Sequence, residues 1–454
     1  MNTLDQQRRR APRRALAGAL SLAALLHLAP AFGQPADDEP IASDEQAVLP
    51  LDELRIFADV FNQIRLSYVE EVDDKTLLEN AIRGMLSNLD PHSAYLDEDS
   101  FADLQVSTTG EFGGLGLEVG MEDGFVKVIA PIDGTPAQQA GIQPGDLIVR
   151  LDGKPLKGMG LAEAVEAMRG PAGTKVELTI LREGTAKPFE VTLERANIKV
   201  VSVRGRELEP GFAYLRIAQF QAGTGTEFRN LLTKLREQAG GQLKGVVLDL
   251  RNNPGGVLQS SVEVADAFLT SGLIVYTEGR LPNSRTQFSA SGDDLVAGTP
   301  VVVLINGGSA SAAEIVAGAL QDHKRAVVMG TPSFGKGSVQ TVVPISETAG
   351  IKLTTALYYT PQGRSIQAHG IEPDIQVDRA RLETIEGNEI TEADLQGHLG
   401  NGSGRERNSR DRRTLPKDEL ISSDNQLYEA LTLLKGLHIL GGYQASAASE
   451  STSD

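Results

Sequence analysis

Apolar residues recur along this chain at several spacings, and each change of spacing marks a new region. Leu54, Phe57, Phe61 and Ile64 fall three or four apart, as do Leu78, Ala81, Ile82, Met85 and Leu89, which predicts two amphipathic helices closing near Asp90-Pro91. Their apolar stripes are expected to be covered, so the pair reads as a structural module or as a contact with a second copy. From about Gln105 to Ile198 the pattern becomes short alternating runs broken by glycine: Gly116–Val119, Phe125–Ile129, Asp146–Leu151 after a Pro-Gly turn, and Val176–Leu181. Only Leu161–Met168 in this stretch has helical spacing.

The third region alternates strand and helix. Phe212–Ile217, Gly245–Leu250 and Ala326–Met329 read as strands and Val301–Ile305 as a continuous β-branched run, and Thr226–Gln238, Val257–Leu269 and Ser311–Asp322 are helical in pattern between them. That rhythm predicts an α/β core of mostly parallel strands, with active groups at strand C-termini. Beyond Thr384 the chain turns polar, and Ser423-Asp424 is placed to cap a last helix carrying Leu427, Leu431, Leu434 and His438 on one side. The fold class is therefore multidomain α/β. Its parts are a leader (1–33), a linker with the helical module (34–104), a β-rich domain (105–198), the α/β core (199–384), a polar linker (385–417), and a C-terminal helix with a disordered tail (418–454).

Length and composition fit this division. A chain of 454 residues exceeds one ordinary core, and 40% apolar content is ample for packing. At the N-terminus, five arginines (Arg8, Arg9, Arg10, Arg13, Arg14) precede an apolar run from Ala15 to Leu28, short for a membrane span, and Ala31-Phe32-Gly33 supplies small residues for cleavage before Gln34. This reads as a secretory signal directing the protein to a bacterial periplasm; an uncleaved anchor is the alternative. Gln34–Ala47 is acidic and Pro/Ala-rich, a disordered linker. There is no cysteine, which excludes disulfides and lipid attachment through an N-terminal Cys. The leader has five Arg against one Asp, a net +4, so its removal takes the formal charge from −18 to −22. A chain this acidic is repelled by nucleic acid and anionic membrane, which leaves proteins as partners; acidity that serves only solubility is equally compatible.

Three motifs at strand exits carry candidate chemistry. Leu248-Asp249-Leu250-Arg251-Asn252-Asn253-Pro254-Gly255-Gly256 ends a buried strand in a turn able to aim a backbone N–H into a cleft. Asn306-Gly307-Gly308-Ser309-Ala310-Ser311-Ala312-Ala313-Glu314 leads from a strand into a helix, whose N-terminal N–H groups and dipole suit a developing oxyanion. Ser333-Phe334-Gly335-Lys336-Gly337-Ser338-Val339-Gln340 sets one lysine in a glycine frame. A serine hydroxyl needs a base, and a lysine serves only when burial drives it toward neutrality. Ser309 and Ser311 as mere helix caps, and the Gly-Lys-Gly turn as a solvated loop, are the competing structural readings. The loop lacks the glycine spacing of a phosphate-binding P-loop. No pair among the six histidines has metal-ligand spacing, so neither metal nor cofactor is expected. Farther upstream, Gly113-Gly114-Leu115-Gly116 can leave backbone N–H groups free as a nest for a peptide carboxylate, beside a strand edge that accepts the peptide as an added strand.

With Ala140-Gly141-Ile142-Gln143-Pro144-Gly145-Asp146 downstream of that glycine loop, the β-rich region resembles a PDZ domain. Together with the three core motifs, nearly the whole chain after the leader resembles the carboxy-terminal processing, or tail-specific, proteases. The resemblance implies a serine endopeptidase that captures protein substrates by their C-termini. It implies Ser311 as nucleophile, Lys336 as base 25 residues later, and Gln340 as the group orienting the lysine. A neutral amide suits that last task, since it does not stabilise the charged amine as a carboxylate would. The implied oxyanion donors are the N–H of Ala312 and of one glycine of Gly255-Gly256. The implied peptide-binding residues are Gly113, Gly114, Leu115 and Gly116. Arg169 matches a position that in some members couples peptide capture to opening of the protease, and it is equally placed to complement a helix C-terminus. Family members commonly form homo-oligomers, and some answer to a lipoprotein adaptor. The rival readings are a non-catalytic PDZ adaptor or chaperone on a protease-like shell, and the same core turned to ester or thioester chemistry.

Overall fold

The computed structural model describes residues 49–185, 187–381, 392, 395–399 and 423–451, with side chains as far as residue 441. The leader, the acidic linker as far as residue 48, and nearly all of the polar linker lie outside the described residues. The chain forms two compact units, Met1–Val72 and Asp73–Asp454.

In the first unit the expected helix forms as Leu51–Ser67, but it buries no residue, and Leu54, Phe57 and Ile64 are 40–47% exposed. The expectation of a covered stripe is therefore corrected: the described part of this unit is a single helix, with no second element of its own to pack on. In the second unit the helix Asp74–Ser87 is capped by the Asp73 carboxylate, which accepts the Thr76 N–H at 2.9 Å, and it buries only Leu86. Leu78, Met85 and Leu89 stay exposed.

The PDZ region is an antiparallel sheet in the order Leu117–Glu122, Phe125–Pro131, Leu147–Leu151, Lys175–Leu181, Phe189–Glu194. Alternate residues Val176, Leu178 and Ile180 point inward, where Val126, Val128 and Ile148 meet Ala164 and Met168 of the helix Leu161–Met168. Leu117–Glu122 is the outer strand, so one of its edges is left unpaired within the sheet.

The core sheet runs Val203–Glu209, Phe212–Ile217, Gly245–Asp249, Val301–Ile305, Val327–Gly330, Ile375–Gln376, and every pairing after the first is parallel. Its central strands read as unbroken apolar runs because both faces are covered. Val246 and Leu248 join one cluster with Phe228, Leu232 and Phe268, whereas Val247, Val302 and Leu304 pack on Leu427, Ala430, Leu431 and Leu434 of the last helix. That helix spans Asn425–Ser451 and so continues into the stretch that composition alone reads as a disordered tail; the alanines there are strong helix formers. Asp424 caps it, accepting the Leu427 N–H at 3.1 Å.

Two elements carry no periodic signal in the sequence. The helix Glu98–Thr109 has no fully buried residue, and it runs through the position where the pattern begins the β-rich domain. A second sheet, antiparallel, joins Ala94–Leu96, Gly350–Tyr359, Leu273–Gly279 and Thr286–Ser289, with Ser338–Pro344 also paired to Gly350–Tyr359. It places the segment after Asp90 on one side of the strand Gly350–Tyr359, whose other side pairs with the strand that follows Lys336.

The last helix is fastened to the core by charge as well as packing. Asp249, fully buried, accepts from Arg251 Nε at 2.9 Å, Arg251 Nη2 at 2.7 Å and the Tyr214 hydroxyl at 2.9 Å, while Arg251 also reaches both Asp424 oxygens at 2.7–2.8 Å. Without the Arg251 guanidinium the buried Asp249 keeps the Tyr214 hydroxyl and Arg216 at 3.6 Å, and a buried charge stripped of its main partner is costly. Arg251→Ala is expected to cost about 3–5 kcal/mol in urea denaturation, and Arg251→Lys, lacking the fork that spans both carboxylates, to recover little of it.

Candidate active site

The strand Val301–Ile305 delivers the chain into the tight turn Asn306–Ala310, where Ser309 is fully committed. Its hydroxyl, completely buried, donates to the Leu250 carbonyl at 2.8 Å and accepts the Asn306 N–H at 2.9 Å. Ser311 is different. It stands at the N-terminus of the helix Ala312–Asp322 with φ 56° and ψ −115°, a region that residues with a Cβ rarely enter. The Glu314 side chain accepts the Ser311 N–H at 2.7 Å, and the Glu314 N–H returns to the Ser311 carbonyl at 2.9 Å, which holds this backbone shape.

Glu314 does more than close the turn. It is fully buried and also accepts the Ser333 hydroxyl at 2.6 Å, the Gly335 N–H at 2.6 Å and the Lys336 N–H at 2.9 Å. One side chain thus ties the backbone of the serine to that of the lysine loop. Tyr358, buried behind them, donates to the Lys336 carbonyl, and burial holds its phenol well above the usual range.

Ser311, Lys336 and Gln340 line one cavity of about 430 Å³, together with Ala312, Gly255 and Gly256. Lys336 is half-buried, and its amine is held below the ordinary lysine value, chiefly by desolvation and then by the charge of Lys352, with Asp90 and Glu314 opposing. His92 comes nearer to the site than its place after Pro91 suggests: burial, then the charge of Lys336, keeps its imidazole below the usual value. The Gln340 amide nitrogen donates to Ser338 Oγ at 2.9 Å and Thr354 Oγ1 at 3.3 Å.

The glycine pair divides its duties. Gly255 has φ +97°, and a Cβ there would sit 2.6 Å from Ser311 Cβ and 3.0 Å from the Ala312 nitrogen, so only glycine allows this turn to back onto the serine. Its N–H donates to Asn253 Oδ1 at 2.8 Å. Gly256 bridges Phe220 in parallel fashion through its neighbours, the Phe220 N–H going to the Gly255 carbonyl and the Val257 N–H to the Phe220 carbonyl, which leaves the Gly256 N–H outside that ladder.

A smaller groove lies in the PDZ region between the outer strand and the helix Leu161–Met168. Gly114, Leu115, Gly116, Val119, Val165 and Arg169 are among the residues that line it. Gly113 does not; it pairs with Asn197, and its carbonyl accepts the Gly170 N–H at 3.2 Å. Arg169 stacks over the Phe112 ring, 5.4 Å from its centroid, and reaches Asp103 of the helix Glu98–Thr109 at 3.3 Å. Leu104, Ser107 and Thr108 of that same helix line the cavity that holds Ser311 and Lys336.

Residues 211–377 match Peptidase family S41, residues 127–182 match the PDZ domain family, and residues 29–100 match the activating protease CtpB N-terminal domain. A carboxy-terminal-processing protease of Bartonella bacilliformis is 49% identical over 85% of this chain and 88% of its own length. A carboxyl-terminal-processing protease of Synechocystis is 42% identical over 67% of this chain and 72% of its own. A solved structure, the photosystem II D1 C-terminal processing protease, is 33% identical, covering 72% of this chain and 93% of that one at a TM-score of 0.43. The chain belongs to the carboxy-terminal-processing proteases of peptidase family S41.

In this S41 protease the residues expected to act together, Ser311, Lys336, Gln340, Ala312, Gly255 and Gly256, do share one cavity. What the sequence reading passed over is the frame around them. Glu314 was legible as the far end of a Ser-x-x-Glu capping box. Tyr358, Thr354 and Asp90 leave no local signal, because they meet the site only through the antiparallel sheet and its adjoining turn. Glu314→Gln would set an amide N–H₂ against donors that now find an acceptor. Thermal or urea denaturation is expected to show a loss of about 1–3 kcal/mol for each donor left unsatisfied, together with loss of hydrolysis.

Proposed function

We propose that this protease is exported to a bacterial periplasm through its N-terminal leader and hydrolyses peptide bonds with a Ser311–Lys336 dyad. The observation that carries the reading is a serine in strained backbone at a helix mouth, sharing a cavity with a desolvated lysine whose amine is biased toward neutrality. Ser311 Oγ attacks the scissile carbonyl carbon while its proton passes to Lys336 Nζ. The tetrahedral oxyanion takes the N–H of Ala312 and of Gly256, since that of Gly255 is already given to Asn253. Lys336 then protonates the leaving amine, which departs, and water, deprotonated by the neutral Lys336 Nζ so regenerated, attacks the acyl carbon and releases Ser311. Gln340 orients the lysine through its amide oxygen.

Substrates enter by their C-termini. The groove beside the unpaired edge of Leu117–Glu122 supports capture of an extended tail as an added strand, its carboxylate on the Gly114–Gly116 backbone and an apolar terminal side chain against Leu115 and Val165. The Arg169–Asp103 contact, on a helix that also lines the catalytic cavity, supports coupling between tail capture and the protease. The exposed stripes of the N-terminal helices support assembly with further copies. A lipoprotein adaptor rests on the family resemblance alone.

Ser311→Ala and Lys336→Ala are each expected to lower kcat by about a thousandfold or more with the fold intact. Labelling by a serine-directed acylating probe, mapped by mass spectrometry, should fall on Ser311; near-normal turnover in Lys336→Ala would remove the dyad. The pH dependence has a definite sign. Lys352 disfavours the charged form of Lys336, so Lys352→Gln raises the pKa of the base. The acid limb of kcat/KM then moves to higher pH, and activity at neutral pH falls.

A further inference from the structure

Asp90 stands 250 residues before Gln340 in the chain, yet the fold connects them. The strand Ala94–Leu96 pairs with Gly350–Tyr359 on one side, Ala94 opposite Lys352, and Ser338–Pro344 pairs with it on the other, Gln340 directly opposite Thr354. The turn that precedes Ala94 therefore hangs beside Thr354. There the Asp90 carboxylate accepts the His92 N–H at 2.8 Å, the Ser93 N–H at 3.0 Å, the Ser93 hydroxyl at 2.6 Å and the Thr354 hydroxyl at 3.0 Å. The Thr354 N–H in turn donates to Ser93 Oγ at 3.1 Å.

The direction of these bonds matters. An ionised carboxylate only accepts, and the hydrogen bond from Ser93 holds Asp90 below the ordinary carboxyl range, which keeps it ionised at neutral pH. Thr354 has one hydroxyl proton, and the charged oxygen is its stronger acceptor. Its oxygen can then only accept from Gln340, which fixes the amide with nitrogen toward Thr354 at 3.3 Å and Ser338 at 2.9 Å. Both amide protons are used there. The carbonyl oxygen is left as the end of the amide able to receive an N–H from Lys336. Turned the other way, the amide would present donors to an amine and set its oxygen against Thr354.

We propose that Asp90, acting through Thr354, is a positioning residue that sets the orientation of the Gln340 amide for catalysis. This rests on the reading of Gln340 as the group that orients Lys336. The test uses the full-length protease and a fluorogenic peptide with an apolar C-terminal residue and free carboxylate. Thr354→Val, isosteric but without the hydroxyl, is expected to lower kcat by about ten- to a hundredfold with KM within twofold of the parent, and Thr354→Ser to restore most of it. Asp90→Asn, which can donate to Thr354 and so release its proton toward Gln340, should act like Thr354→Val; where it fails to fold, the Thr354 pair decides. In a Gln340→Ala background Thr354→Val should have no further effect. A Thr354→Val enzyme with parental kcat, or one whose loss multiplies independently with that of Gln340→Ala, overturns this inference and leaves the dyad standing. Full kcat in Gln340→Ala alone removes both the role of Gln340 and that of Asp90.

Discussion

The carboxylate of Glu314 is the constraint on which the site depends. It accepts from Ser311, Ser333, Gly335 and Lys336 inside a fully buried pocket. Through those bonds it fixes two backbones of different origin, one opening a helix of the parallel core and one entering a strand of the antiparallel sheet. A serine held at φ 56° needs such over-determination, because the same backbone would relax to a common region if the bonds were lost. The single acid therefore sets both the attitude of the hydroxyl and the path of the loop that brings the amine.

Around it the burial works in two directions. Desolvation disfavours the charge on Lys336, and Lys352 adds to that, whereas Asp90 and Glu314 favour it. The outcome is an amine displaced toward neutrality but kept among polar partners. Tyr358 stays a neutral phenol in the same surroundings, since burial raises its ionisation far from neutral pH. It therefore serves as a fixed hydrogen-bond donor to the lysine loop, at the Lys336 carbonyl.

The PDZ groove and the cavity of Ser311 and Lys336 are separate concavities, and the helix Glu98–Thr109 touches the margins of both. Asp103 meets Arg169 at the groove, and Leu104 and Thr108 face the cavity. The helix is bound to the core by backbone contacts, with the Ala222 N–H on the Thr108 carbonyl at 2.8 Å. None of its residues is fully buried, and its Ser107 carbonyl also accepts from the Gln219 amide at 3.3 Å.

Periodicity and turn chemistry made much of this legible beforehand. The unbroken runs at Gly245–Asp249 and Val301–Ile305 announce strands covered on both faces, alternation at Lys175–Leu181 announces a half-buried one, and the glycine-flanked serine and lysine announce themselves by residue type. The exposed helix Leu51–Ser67 shows the limit: a stripe states what a helix can bury, never what arrives to cover it. Nor does any local pattern say which of two neighbouring serines is spent on structure; the buried bonds of Ser309 decide that. The sequence by itself determined the order of domains, the parallel core and the chemical groups available, because these follow from spacing and side-chain type along one segment. Only the tertiary structure decided the company those groups keep: Glu314 across both loops, Gly255 against Ser311, and Asp90 reaching Gln340 through a neighbouring strand. Hydrogen-bond partners hundreds of residues apart are set by sheet register, and register belongs to no single segment.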